Sequence, residues 1–249
     1  PKGGRSLLEQ LLSEGDRALS IADITQIVRE RLTPHFPPQP LDAKAPKIRY
    51  SDTNFQLLIA VIEAVSQKPL HQAFEEELFR PLGLHQTFHP GHSPLEATST
   101  PATLWADGRP LDLPLFVQSS GDLYSTAGDM LTFLRALMRG ELFRDPGTLD
   151  LMQARWNRFG FPRDLAALRQ PNWPIEYGLG VMRFQLPRLF TPLRPMPAVI
   201  GHTGSTGSWL FHCPELDLFC CGTVDEASAG PLPYRVVPKL LQAYRSAAR

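Results

Sequence analysis

The spacing of apolar residues changes character along this chain, and each change predicts a different kind of element. Leu7, Leu8, Leu11 and Leu12 recur with helical period, and residues 21–32 do so again behind Ser20, a residue type that caps helix starts. Prolines at positions 34, 37, 38, 40 and 46 then remove backbone donors, which predicts an irregular crossing segment. Residues 53–65 (T-N-F-Q-L-L-I-A-V-I-E-A-V) are apolar around most of a helical circumference, the pattern of a helix buried on nearly every side. Another helix is expected over 71–78, stopping before Pro81, Leu82 and Gly83, with a long proline-rich loop over 90–114. Residues 122–138 predict a helix capped by Ser125 or Thr126, with Asp129 in its first turn. An irregular region follows.

After Pro197 the texture shifts to short β-type runs at 198–200, 208–212 and 216–221, separated by Gly-rich and Pro-Glu turns. These predict consecutive antiparallel strands. Residues 236–248 are amphipathic and predict a closing helix packed on that sheet. Residues 1–196 are thus expected to be mainly helix and loop, and 197–249 to supply strands and the last helix. Both belong to one composite domain over 1–249, since single cores stop growing near about 250–300 residues.

Composition narrows the function classes. Apolar residues make up 43% and charged residues 20%, enough for a packed core. Lys plus Arg equals Asp plus Glu at 25 each, so no basic field points to nucleic acid as a partner. No apolar run approaches the roughly 20 residues of a membrane span. Three cysteines, Cys213, Cys220 and Cys221, form an odd set with an adjacent pair, which reads as core thiols and not a disulfide framework. Neither C-x-x-C nor H-E-x-x-H occurs, so the familiar zinc spacings are absent. His89 and His92 flank a Pro-Gly turn and read as a surface loop rather than a metal site.

Two clusters carry candidate chemistry. Tyr50, Ser51 and Asp52 stand where irregular chain meets the start of an apolar helix, a place that holds polar side chains rigidly. A tyrosine works as a general base only where nearby cations stabilise the phenolate, so this corner calls for a lysine beside it. The plain alternative is a core tyrosine followed by a helix cap at Ser51 or Asp52. The second cluster, Gly201-His202-Thr203-Gly204-Ser205-Thr206-Gly207, lies between two β runs, where small residues let a substrate backbone approach a strand edge. His202 and Thr203 would offer polar atoms to a cleft, and the Ser205 N–H would serve an oxyanion hole. Its plain alternative is a Gly-rich hairpin with a solvated histidine.

Together and in this order, the clusters resemble the penicillin-binding-protein and class C β-lactamase family, which carries S-x-x-K, then Y-x-N, then K-T-G or H-T-G. Pro81-Leu82-Gly83-Leu84, G-D-L-Y-S-T-A-G-D-M, Tyr177-Gly178-Leu179-Gly180 and G-H-T-G-S-T-G-S fall in the expected sequence. The resemblance implies an α+β, β-lactamase/transpeptidase-like fold, an antiparallel sheet flanked by helices plus a helical region. It implies Tyr50 as the catalytic tyrosine, Asp52 as the polar residue steadying the lysine, His202, Thr203 and Gly204 as the substrate-binding strand, and Ser205 as a main-chain oxyanion donor. It also implies an acyl-enzyme on an amide, β-lactam or ester carbonyl of a small-molecule or peptide substrate, with no cofactor and no metal. Asp52 departs from the usual asparagine and adds negative charge beside the expected lysine. His202 replaces the commoner lysine with a pH-dependent cation, closer to the D-Ala-D-Ala carboxypeptidase and esterase-like branches than to efficient β-lactamases.

No serine in the chain has a lysine three positions later, and no G-x-S-x-G elbow replaces it. The S-x-x-K spacing matters because a helix puts i and i+3 on one face. Only 49 residues precede Tyr50, where the family places the serine about a hundred residues upstream. The expectation is therefore that the N-terminal part of the fold is missing, leaving an exposed sheet edge, exposed apolar surface and no activity of the piece alone. The rival reading is a non-catalytic binding or sensor domain that kept the cleft.

Overall fold

The computed structural model describes residues 7–40, 42–44, 46–97, 99–160, 173–191, 195–227 and 229–247. The chain divides into one unit of Pro1–Pro101 with Asp112–Asp129 and a second of Ala102–Leu111 with Met130–Arg249.

The first unit is helical. Helices α1 (Leu7–Glu14) and α2 (Ile21–Arg31) form where the leucine spacing predicts them. Ser20 caps α2: its hydroxyl accepts from the Asp23 N–H at 3.1 Å while the Asp23 carboxylate accepts from the Ser20 N–H at 2.8 Å. Two orphan donors are thereby satisfied reciprocally. The proline-rich stretch is irregular, as expected, and leads into α3 (Asp52–Ser66).

Helix α3 forms, but its expected burial does not occur. None of its residues is buried, and Leu58, Val61 and Val65 are 53%, 54% and 81% exposed. An all-round apolar pattern shows that a helix gains by being covered; it does not say what covers it.

The next helix also differs from expectation. Helix α4 (Leu70–Phe74) widens into a π turn at Glu75–Phe79 and continues as α5 (Arg80–Leu82), so it runs through Pro81 instead of stopping before it. Proline at 81 lacks the N–H that a continuing helix would use, and the helix ends almost at once after it, at Gly83 in the left-handed region (φ 66°). Helix α6 (Pro114–Ser119) starts against Asp16, whose carboxylate accepts from the Leu115 and Phe116 N–H groups at 2.7 and 3.0 Å. Of the two caps expected for α7 (Ala127–Met138), Thr126 does the work, its hydroxyl accepting from the Asp129 N–H at 3.2 Å. Ser125 pairs with Thr87 instead, at 2.7 Å. The Thr87 hydroxyl and the Gln86 N–H also donate to Asp129, at 2.8 and 2.9 Å.

The second unit holds the sheet. A small hairpin, β1 (Trp105–Ala106) and β2 (Arg109–Pro110), interrupts what reads as continuous loop. After α8 (Gly147–Gln153) come β3 (Asn157–Arg158), β4 (Glu176–Tyr177), β5 (Met182–Phe184), β6 (Val199–Thr203), β7 (Trp209–Cys213) and β8 (Leu218–Gly222). They form one antiparallel sheet in that order, with β8 at an edge. Strands β3 to β5 lie where irregular chain was expected. They are too short to show alternation and are pinned by Glu176, which accepts from Arg158 Nε at 3.0 Å and Arg183 Nε at 2.7 Å on its two neighbouring strands.

Helix α9 (Pro233–Ala247) closes the unit, burying Val237 and Leu241 where Met182, Phe184, Val199 and Phe211 are also buried. Each such side chain contributes about 1.5–3 kcal/mol by leaving water. Cys213 is buried in this core, whereas Cys220 and Cys221 are half-buried; all three are free thiols. Among the described residues no helix is long and apolar enough to cross a membrane.

Candidate active site

The expected site residues fall into two corners, one in each unit. In the first unit, Ser51 is extended (φ −149°, ψ 113°) and Asp52 opens α3 as its first helical residue. Ser51 therefore occupies the N-cap position that the plain reading allowed, although its side chain makes no capping hydrogen bond. Tyr50 precedes the helix with its ring 5.7 Å from that of Phe55, centroid to centroid. The Asp52 carboxylate lies in the first turn, where the helix dipole favours negative charge.

In the second unit His202 and Thr203 end β6, opposite Leu210 and Trp209 on β7, and Gly204 opens the hairpin loop between the two strands. The approach of these strands requires glycine at 201, because a Cβ there would stand 1.9 Å from the Leu210 carbonyl oxygen. The loop beyond Thr203 is closed by the Gly204 N–H donating to the Ser208 carbonyl at 2.8 Å and the Gly207 N–H to the Gly204 carbonyl at 3.2 Å. Ser205 sits exposed on this loop, and among the described residues its N–H has no main-chain acceptor.

Two tyrosines that carried no role in the sequence reading hold the end of β6. The Tyr177 hydroxyl, on β4, lies 2.9 Å from His202 Nε2, and His202 Nδ1 lies 2.8 Å from the Thr203 carbonyl oxygen. The Thr203 hydroxyl is 3.1 Å from the hydroxyl of Tyr234 on α9, which in turn donates to Met182 Sδ at 3.3 Å. The Tyr234 ring packs against Phe184 and Phe211, at 4.9 and 6.3 Å between centroids. Burial pushes its phenol up to about 12, so it stays protonated and serves only as a hydrogen-bonding group. Tyr177 stood in a quoted Y-G-L-G phrase; no periodicity or spacing marks Tyr234.

His89 and His92 are more than a surface loop. His89 is only 8% exposed, and His92 stacks on His71 with ring centroids 3.7 Å apart. These residues line a cavity of about 230 Å³ in the first unit. Desolvation, followed by the neighbouring His92 and His71, pushes His89 below the usual histidine range. Face-to-face stacking does not converge nitrogen lone pairs, and among the described residues no group of three or more His, Cys, Asp or Glu could hold a metal ion.

Comparison with known proteins follows the same outline. Residues 30–221 match the beta-lactamase family. The D-alanyl-D-alanine-carboxypeptidase/endopeptidase AmpH of Escherichia coli K12 is 27% identical over 162 residues, covering 65% of this chain. The chain spans 40% of the length of that curated relative. Among solved structures, the D-stereospecific amidohydrolase from Streptomyces sp. superposes with a TM-score of 0.62 at 23% identity, covering 88% of this chain and 60% of its own. The D-amino acid amidase from Ochrobactrum anthropi SV3 gives 0.67 at 18% identity, covering 92% and 70%. Both likenesses bear on the fold, and they agree with a β-lactamase/transpeptidase-like architecture of helices and antiparallel sheet. With a match that runs over residues 30–221, most of its length, the chain belongs to the beta-lactamase family of serine hydrolases.

Proposed function

We propose that this chain contributes catalytic and substrate-binding residues to a serine hydrolase that works through an acyl-enzyme, with the nucleophilic serine and its lysine outside residues 1–249. The observation that carries the reading is the end of β6, where His202 and Thr203 are each held by a tyrosine hydroxyl and the Ser205 N–H stands on an exposed turn without a main-chain acceptor among the described residues. A rigid strand edge followed by such a donor suits a carbonyl that becomes tetrahedral, since preorganised N–H groups stabilise the developing charge without rearranging.

In this reading the serine attacks an amide, β-lactam or ester carbonyl and its proton passes through Tyr50 and the lysine to the leaving group. Asp52 steadies the lysine, His202, Thr203 and Gly204 orient the substrate, and water then breaks the acyl bond. A carboxypeptidase-like or esterase-like activity is favoured over a true β-lactamase because histidine stands at 202. The names of the relatives, a D-alanyl-D-alanine-carboxypeptidase/endopeptidase and two D-specific amide hydrolases, support an amide flanked by a D-amino acid. The absence of S-x-x-K from these 249 residues favours a second reading, a binding or sensor domain.

Incubating the full-length protein with a labelled penicillin and with a p-nitrophenyl ester, then weighing it intact, separates the two. A covalent adduct with either reagent is expected; no adduct with both supports the sensor.

A further inference from the structure

We propose that Tyr177 is a positioning residue for His202, donating to its Nε2 and fixing which way the imidazole faces. The structural half of this proposal stands on the second unit alone; its kinetic half rests on the hydrolase reading above.

The hydrogen-bond partners assign the tautomer. The Thr203 carbonyl oxygen can only accept, so His202 Nδ1, 2.8 Å away, must carry hydrogen. In the neutral ring that leaves Nε2 as a lone pair, and the Tyr177 hydroxyl 2.9 Å away donates to it. Turning the ring over would break both bonds at once. Without the tyrosine hydroxyl Nε2 would lose this donor.

Tyr177 is itself rigid, which is what a positioning group requires. It ends β4, paired to Asn157 on one side and Met182 on the other. The four-residue connection that follows is tied down by the Gly178 N–H donating to the Val181 carbonyl and the Leu179 N–H to the Met152 carbonyl, both at 2.9 Å. A Cβ at 178 would come within 2.4 Å of that same Met152 oxygen, so the residue after Tyr177 must be glycine for the strand end to sit where it does. The Tyr177 ring meets Phe159 edge-on, 6.0 Å and 74° apart, and meets His202 edge-on, 5.7 Å and 89° apart. Ring packing on both sides thus holds the Tyr177 hydroxyl within hydrogen-bond reach of His202 Nε2.

Nitrogen-15 spectra of the imidazole in the full-length protein read this contact without turnover. His202 should show a protonated Nδ1 and an acceptor Nε2, and Tyr177→Phe should move the Nε2 resonance, as that nitrogen loses its donor, while Nδ1 stays protonated. With a p-nitrophenyl ester as probe, the same variant should raise KM about tenfold while kcat stays within about threefold, the signature of lost substrate orientation. Tyr244→Phe, on an exposed part of α9, is the control and should move neither readout. The proposal is overturned by a wild-type ring protonated on Nε2 alone, by a variant that keeps the wild-type spectrum, or by a shifted Nε2 resonance with unchanged KM. A wild-type protein that shows the expected spectrum but is acylated by neither the ester nor a penicillin defeats the hydrolase reading and leaves the Tyr177 contact established.

Discussion

Helices α3 and α9 are each 15 residues long and rich in apolar side chains, yet they end in opposite states. Helix α9 buries one stripe, Pro233, Val237, Pro238 and Leu241, and brings Tyr234 to the end of β6. Helix α3 buries nothing, leaving a face of Leu57, Leu58, Val61 and Val65 open. The site residues share the fate of their helices. His202 and Thr203 are held by side chains from β4 and α9, far apart in sequence, whereas the ring contact that places Tyr50 comes from Phe55, only five residues on. The β6 corner is therefore built by tertiary structure.

Core truncation should break this contrast most strongly. Phe211→Ala, at a position with no exposed surface, is expected to cost about 3–5 kcal/mol, read as a lower urea midpoint. Ser205→Pro removes the proposed oxyanion donor and should slow acylation of the full-length protein about 10²–10³-fold, with its melting temperature kept. High pH should weaken the second unit selectively. Burial pushes the Cys220 thiol from 9.0 up to about 11 and the Tyr234 phenol from 10.0 to about 12. Unfolding lets each group ionise at its ordinary value, so the stability these neutral groups contribute is fully present below pH 9 and is lost as pH rises from 9 towards 12. Urea midpoints across that window should fall with pH, and a flat profile would contradict the buried assignments. Smallest of all, Val65→Ala in residues 1–249 should stay within about 0.5 kcal/mol, because little apolar surface changes its exposure.

The same contrast explains what could be read from the sequence. Ser20, Thr126 and the leucine spacing are local signals, and the helices they predict are present. The motif corners were legible because Tyr50-Ser51-Asp52 and Gly201–Gly207 compress their chemistry into a few adjacent positions. The grip of Tyr177 and Tyr234 on β6 was not, since it joins residues 25 and 31 positions apart through hydroxyls that leave no periodic trace. Strands β3 to β5, two or three residues long, are shorter than any alternation that could reveal them. The apolar pattern of α3 was read correctly as a helix and wrongly as a buried one, because hydrophobicity records a helix's need for a partner and not the partner's position.

The central claim is that Tyr50 acts as the general base of an acyl transfer. The most direct measurement is the pre-steady-state release of p-nitrophenol from a p-nitrophenyl ester by the full-length protein and by Tyr50→Phe. The account predicts a burst of about one equivalent in the wild type and an acylation rate lowered about 10²–10⁴-fold in the variant, the range for loss of a general base. An undiminished burst from Tyr50→Phe would contradict it.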